Sequence, residues 1–281
     1  MKDDRPSRTA ERVALRRAAH QLFDQPRVFD DPVALRIVGP SAAEQIDRVA
    51  EDEPVARGLR ALMVARSRYT EDALARAVAD GARQYVVLGA GLDTFAYRNP
   101  HRVGRLRVFE VDHPATQAWK RTKLEEAGIL VPDDLVFAPV DFECGTLADG
   151  LREAGFDPRV RTFFSWLGVV PYLEIESIVA TLRVVAATAP GSEVVFDYAI
   201  PPSMMAPDQR RVFEALAARV AAAGEPWRTF FEPATLAREL MALGLTVVDD
   251  VPPEVLNASF FADRADGLQI RGRARMMHAR V

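Results

Sequence analysis

The chain has 281 residues, 49% of them hydrophobic, and a formal net charge of −4. That is ample for the core of a single α/β domain, and the acidic balance with scattered arginines gives no electrostatic footprint for nucleic acid. No apolar run reaches membrane-spanning length, the start is charged from Lys2 onward rather than signal-like, and the lone Cys144 leaves no intrachain disulfide or cysteine metal cluster, so a cytoplasmic chain is expected.

Residues 11–23 carry Val13, Leu15, Ala18, Ala19 and Leu22 at helical spacing, and Asp30, Asp31 and Pro32 open a second helix over 33–38. Both precede the first core strand. They therefore read as an N-terminal addition, either covering a pocket or packed on the sheet edge. Pro54 breaks the chain before a long helix over 55–80. Leu59, Leu62, Met63, Tyr69 and Ala73 share a stripe there with Arg66. An arginine on a core stripe needs an anionic partner, which is a ligand group or a structural acid such as Asp93 or Asp72.

Tyr85 to Leu88 is a short apolar run bounded by glycine, the pattern of a buried parallel strand. Gly89 and Gly91 follow it and let the backbone approach a ligand closely. Asp112 ends the next apolar run, at the distance where nucleotide folds hold ribose hydroxyls. A nucleoside cofactor is implied. Thr94 stands where a dinucleotide fingerprint wants a third glycine, and Asp93 places a carboxylate where two phosphates would approach. That disfavours NAD(P) and suits a cationic centre such as the sulfonium of S-adenosylmethionine.

The remaining elements follow the same logic. Residues 94–98 are too short for a crossover helix, and 114–127 form one that Gly128 closes. Residues 135–140 make a third strand with Asp141 and Phe142 at its end, where an acid can accept from an adenine amino group and an aromatic can cover the ring. A short helix over 147–154 leads to a strand over 161–166. Helix 174–189, strand 193–198 and a helix-bearing insert over 203–232 come next. The insert is either an acceptor-side wall or a unit with its own core. A last helix runs from Glu232 to Gly244, and 245–251 with 268–277 read as a final antiparallel pair. Asp197-Tyr-Ala-Ile-Pro-Pro202 superficially resembles the Asp-Pro-Pro-Tyr loop of amino-methylating nucleic-acid enzymes, but its order and its place after the fifth strand reject that reading.

Three blocks, Leu88-Gly-Ala-Gly-Leu-Asp-Thr-Phe-Ala-Tyr-Arg98, Phe109-Glu-Val-Asp-His-Pro114 and Ser165-Trp-Leu-Gly-Val-Val-Pro-Tyr-Leu173, resemble the leucine carboxyl methyltransferase-like S-adenosylmethionine-dependent methyltransferases, bacterial branch. The resemblance runs from about Ser7 to the C-terminus. It implies a Rossmann-like, class I sheet of seven strands, mostly parallel with an antiparallel last strand. Its helices cover both faces, with an N-terminal lid region (1–57), a cofactor-binding core (58–202), an acceptor-side insert (203–232) and a C-terminal unit (233–281). It also implies a cofactor site. Arg66 would hold the methionine carboxylate, Gly89, Ala90, Gly91 and Asp93 the cofactor turn, Asp112 the ribose, and Asp141 with Phe142 the adenine; His113, within reach of the adenine or the acceptor, and Trp166 are also cofactor-site candidates. Several members carry a glutamate where this chain has Leu167, which puts one polar contact in doubt.

A carboxylate acceptor needs orientation and desolvation but no general base, whereas a phenol or alcohol needs one. None of His20, His101, His113 and His278 has a spacing that announces catalysis. The expected activity is therefore O-methylation of a small organic acid in secondary metabolism, with Tyr172, Tyr198 and His113 as acceptor-side candidates. His113, Trp166 and Tyr172 each retain a structural alternative, as a capping or core residue. An NAD(P)-dependent oxidoreductase and a non-catalytic cofactor-binding module are the other classes. A small-molecule acceptor is expected as partner, with no metal, nucleic acid or membrane.

Overall fold

Residues 85–88 are apolar without alternation because both faces of their strand are covered. The computed structural model of the chain describes residues 8–39, 46, 53–103, 106–141, 146–222 and 224–281. Phe142 and Cys144 lie outside them. The first part of the chain forms α1 (Arg8–Phe23), α2 (Ala34–Val38), α3 (Pro54–Ala79), β1 (Gln84–Leu88), α4 (Phe95–Arg98), β2 (Arg107–Asp112), α5 (Pro114–Glu126) and β3 (Leu135–Pro139). After these come α6 (Leu147–Glu153), β4 (Thr162–Trp166), a 3-10 turn (Val170–Tyr172), α7 (Ile175–Ala186) and β5 (Glu193–Ala199). The last part is α8 (Pro207–Ala222), α9 (Pro233–Ala242), β6 (Thr246–Val251), α10 (Pro253–Phe260) and β7 (Ala274–Arg280). Among the described residues no helix is long and apolar enough to cross a membrane.

The strands form one sheet in the order β3-β2-β1-β4-β5-β7-β6. β7 is antiparallel to both neighbours, and the strands from β3 to β5 pair in parallel. Side-chain alternation splits the core: Tyr85 and Val87 pack with Leu62 and Leu74 of α3, while Val86 and Leu88 pack with α6, α7 and α9 on the other face. β1 and β4 are adjacent although the chain leaves them in opposite directions across the sheet. The crevice at their carboxyl ends is the switch point where such sheets bind ligands.

α1 is fastened at its C-terminal half by buried polar groups. His20 lies 2.8 Å through Nδ1 from Asp24, and its Nε2 accepts from the amides of Val28 and Phe29. Arg60 of α3 forks onto the same Asp24 at 2.8 and 2.9 Å. Burial pushes the Asp24 carboxyl upward, but the hydrogen bonds from His20 and Arg60 outweigh it and hold the pKa at about 2. On its other side α1 sends Arg17 to Asp31 and Thr94. The N-terminal addition is thus bolted to α3 and to the start of α4, beside the glycine turn.

One expectation needs correction. The last strand begins at Ala274 rather than Leu268, and α10 intervenes. Leu268 and Ile270 are buried but irregular, because the Asn257 side chain of α10 donates to the Ile270 carbonyl and accepts from its amide, taking the place of a neighbouring strand. No described residue of α8 is fully buried; within the insert Phe213 packs against Trp227 (ring centroids 5.0 Å apart) and Phe230 (5.7 Å), and Phe213 also packs against the core cluster on the α7 and α9 face of the sheet.

Candidate cofactor and acceptor site

The glycine turn and the acid of the next strand meet. The amides of Gly89 and Ala90 both donate to the Val111 carbonyl, at 2.9 and 3.1 Å, which folds the turn over the end of β2. Gly91 N–H then donates to Asp112 Oδ2 at 2.6 Å, and His113 N–H to Oδ1 at 2.7 Å. Burial pushes the Asp112 carboxyl above its ordinary range, and the two amides oppose the shift. Both glycines have positive φ, +68° and +45°. A Cβ on Gly91 would lie 2.9 Å from the Ala10 methyl carbon, and one on Gly89 would run into the Val169 side chain. The turn is therefore covered by the tip of α1 and by the loop after β4. Asp93 caps α4 by accepting from the Phe95 amide at 2.8 Å and lies 3.5 Å from Arg17.

Arg66 is buried at the same end of the sheet, and its partner is neither Asp93 nor Asp72. Nη1 lies 3.0 Å from Asp197 Oδ2, and the other Asp197 oxygen accepts from the Gly168 amide. Asp72 is taken by Arg68, its neighbour one helical turn back on the exposed side of α3. Gly168 is required here: a Cβ would sit 2.8 Å from an Arg66 nitrogen, at a φ of +72°. Asp197 and Gly168 are the residues the sequence reading missed. The available signal was a lone carboxylate inside the apolar strand Val194 to Tyr198.

The other candidates fall in different places. His113 caps α5, its Nδ1 accepting from the Ala115 amide at 3.2 Å. Trp166 is buried on the α7 face and packs edge-on against Phe196. Tyr198 points the same way as Trp166 and away from Arg66, with its hydroxyl 3.0 and 3.1 Å from the Asp250 oxygens. Tyr172 is half-buried in the loop after β4, and Asp141 is half-buried at the end of β3. A cavity of about 680 Å3 lies elsewhere, lined by Val33, Arg36, Tyr97, Arg102 and residues 128–134 near the amino ends of β2 and β3. Its position removes it from the chemistry of the switch point.

Two glycines with no room for a Cβ, a buried carboxylate at the adjoining strand end and a buried guanidinium fit a nucleoside that carries an amino acid. The sheet, mostly parallel with β7 antiparallel to both neighbours, is that of the class I S-adenosylmethionine-dependent methyltransferases. The leucine carboxyl methyltransferase family model matches residues 10–186, and the chain belongs to that family. It is 33% identical, over 99% of both chains, to YktD of Bacillus subtilis, an assigned S-adenosyl-L-methionine-dependent methyltransferase. It is 36% identical over 64% of both chains to another such assigned protein, from Frankia alni. Among solved structures, a DUF574 family protein from Streptomyces avermitilis superposes with a TM-score of 0.64, at 19% identity over 98% of this chain and 97% of that one. An assigned methyltransferase from Thermobifida fusca gives 0.57, at 18% identity over 99% and 96%. The activity is S-adenosylmethionine-dependent methyl transfer, and S-adenosylmethionine is the cofactor. The nicotinamide and non-catalytic alternatives fall with that membership.

Proposed function

We propose that the methyl group goes to a carboxylate oxygen of a small organic acid, in the cytoplasm and as a step of secondary metabolism. S-adenosylmethionine, when bound, supplies a methyl carbon bonded to a sulfonium, and its transfer leaves S-adenosylhomocysteine and a methyl ester. In this reading Asp112 accepts from the ribose hydroxyls, and Gly89, Ala90 and Gly91 present backbone to the cofactor with Asp93 at the edge of the turn. Arg66, held by Asp197, faces the amino-acid part. Asp141 borders the base. The α1 tip and the 203–232 insert exclude water from the reacting atoms.

The observation that carries the carboxylate is the placement of the imidazoles. His20 is fixed between Asp24 and two amides, and His278 lies 2.7 Å from Glu193, which begins β5 at the opposite end of the sheet. His101 belongs to the connection from α4 to β2. His113 is beside Asp112, but its Nδ1 is engaged by the Ala115 amide at 3.2 Å as a helix cap. A carboxylate acceptor needs no such base. The test is incubation with methyl-deuterated S-adenosylmethionine and a panel of carboxylic and phenolic metabolites, read by mass spectrometry before and after mild alkali. Alkali-labile labelled esters are expected. Labelled products that survive alkali, as aryl ethers or N-methyl compounds do, would overturn the assignment.

A further inference from the structure

Asp197 stands near the carboxyl end of β5, among Val194, Val195, Phe196 and Tyr198, and is buried with them. A carboxylate in that place needs donors, and it takes them from two other elements. Oδ2 lies 3.0 Å from Arg66 Nη1 on α3, and Oδ1 accepts from the Gly168 amide in the loop after β4. Arg66 and Gly168 also touch each other. A Cβ on Gly168 would stand 2.8 and 2.9 Å from the two Arg66 Nη atoms, so only a bare Cα lets the loop backbone lie against the guanidinium. Carboxylate, guanidinium and loop backbone close a triangle across three elements that are distant in sequence.

The guanidinium is gripped by one nitrogen only. Nη1 is bonded, while Nε and Nη2 have no partner among the described residues. Arg60, the other buried arginine of α3, gives the contrast. It donates from Nε at 2.8 Å and Nη2 at 2.9 Å to the two oxygens of Asp24, a fork on one carboxylate. On Arg66 that same edge is open, with the geometry to take a second carboxylate. The loop fixes where this edge lies relative to the glycine turn. Val169, the residue after Gly168, covers Gly89, where a Cβ would come within 2.4 Å of Val169 Cγ2. Gly168 and Val169 therefore bridge the guanidinium and the nucleoside turn.

We infer that Asp197 is a positioning residue: with the Gly168 backbone it fixes the Arg66 guanidinium so that the open edge receives the amino-acid carboxylate of the cofactor. The inference rests on the methyltransferase reading above. Asp197 acts through Arg66, because each of its oxygens is already bonded to a protein donor. An arginine held before binding loses less side-chain freedom when the ligand arrives. Asparagine at 197 accepts through one oxygen only, so it cannot serve Arg66 and Gly168 together. Alanine at 168 pushes the guanidinium from the other side and leaves the carboxylate in place.

The test uses the full chain as parent, D197N, G168A, R66Q and the D197N/R66Q pair, each checked for folding by its urea transition. S-adenosylhomocysteine and 5′-methylthioadenosine, which lacks the amino-acid part, are titrated calorimetrically into each. The parent binds the first about tenfold or more tightly than the second, and R66Q loses that preference. D197N and G168A each cut the preference about fivefold with methylthioadenosine held within about twofold, and D197N changes nothing further in the R66Q background. Should D197N not fold, G168A decides by the same ratio. An undiminished preference in D197N overturns the inference. Equal weakening of both ligands overturns it too, since that marks a purely structural role. So does a D197N effect that persists without Arg66, which would put Asp197 on the cofactor itself, and so does a preference that survives in R66Q. Failure of the parent to bind S-adenosylhomocysteine removes the methyltransferase reading itself, a distinct result.

Discussion

Gly91→Ala probes how closely α1 lies on the glycine turn. The substitution carries two separable penalties. Gly91 has a φ of +45°, and an L-residue held there costs about 1–2 kcal/mol. Its new Cβ would lie 2.9 Å from the Ala10 methyl carbon, well inside the roughly 3.5–4.0 Å at which carbons attract. Relieving that overlap means shifting the first turn of α1, at about 1–3 kcal/mol. The single variant is therefore expected to lose about 2–5 kcal/mol in urea unfolding. Ala10→Gly removes the opposing methyl group, so the contact part should vanish in the double variant while the backbone part remains. The coupling energy of the cycle is then about 1–3 kcal/mol. Purely additive effects would show that α1 does not cover the turn, and the reasoning about the closed crevice would fail.

The buried pair of Glu110 and Lys120, 2.6 Å apart beneath Tyr97, gives a second prediction. Lys120→Met leaves a buried carboxylate alone and should cost about 3–5 kcal/mol, whereas Glu110→Leu with Lys120→Met should recover most of that loss in the same urea assay. Burial, opposed by Lys120, pushes Glu110 up to about 7. The folded state therefore binds the extra proton, and the parent should lose stability as pH rises from 4.5 to 7, with a shallower slope in the double variant, where the raised Asp112 and Glu71 remain. Asp24 has the opposite sign. Its folded pKa is lowered from 3.8 to about 2, so its contribution is complete above pH 4 and lost as pH falls through 2. Asp24→Asn should cost about 2 kcal/mol at neutral pH from this linkage, and the gap to the parent should close in acid titration.

Most of the fold was legible because its signals are local. Residues 85–88 are apolar on both faces, Gly89 and Gly91 require positive φ, and Pro54, Pro114 and Pro233 each mark a helix start. What failed depends on contacts distant in sequence. Leu268 and Ile270 alternate like a strand, yet the side chain of Asn257 satisfies Ile270, and no periodicity records that.

The site divides along the same line. Asp112 and the glycine turn are a strand end and the loop beside it, so spacing alone placed them together. Arg66 stood out as a charge on an apolar stripe, but its acid lies 131 positions away, on β5. Asp197 was read only as part of a motif that did not fit.

The measurement that bears most directly on the central claim is calorimetric titration of S-adenosylhomocysteine into the parent, Asp112→Ala and Asp112→Asn. One site is expected in the parent. Both variants should bind more weakly by about 1–3 kcal/mol, because ribose hydroxyls lose a buried charged acceptor. Equal affinity in all three proteins would contradict the assignment of Asp112 and the glycine turn as the cofactor cradle.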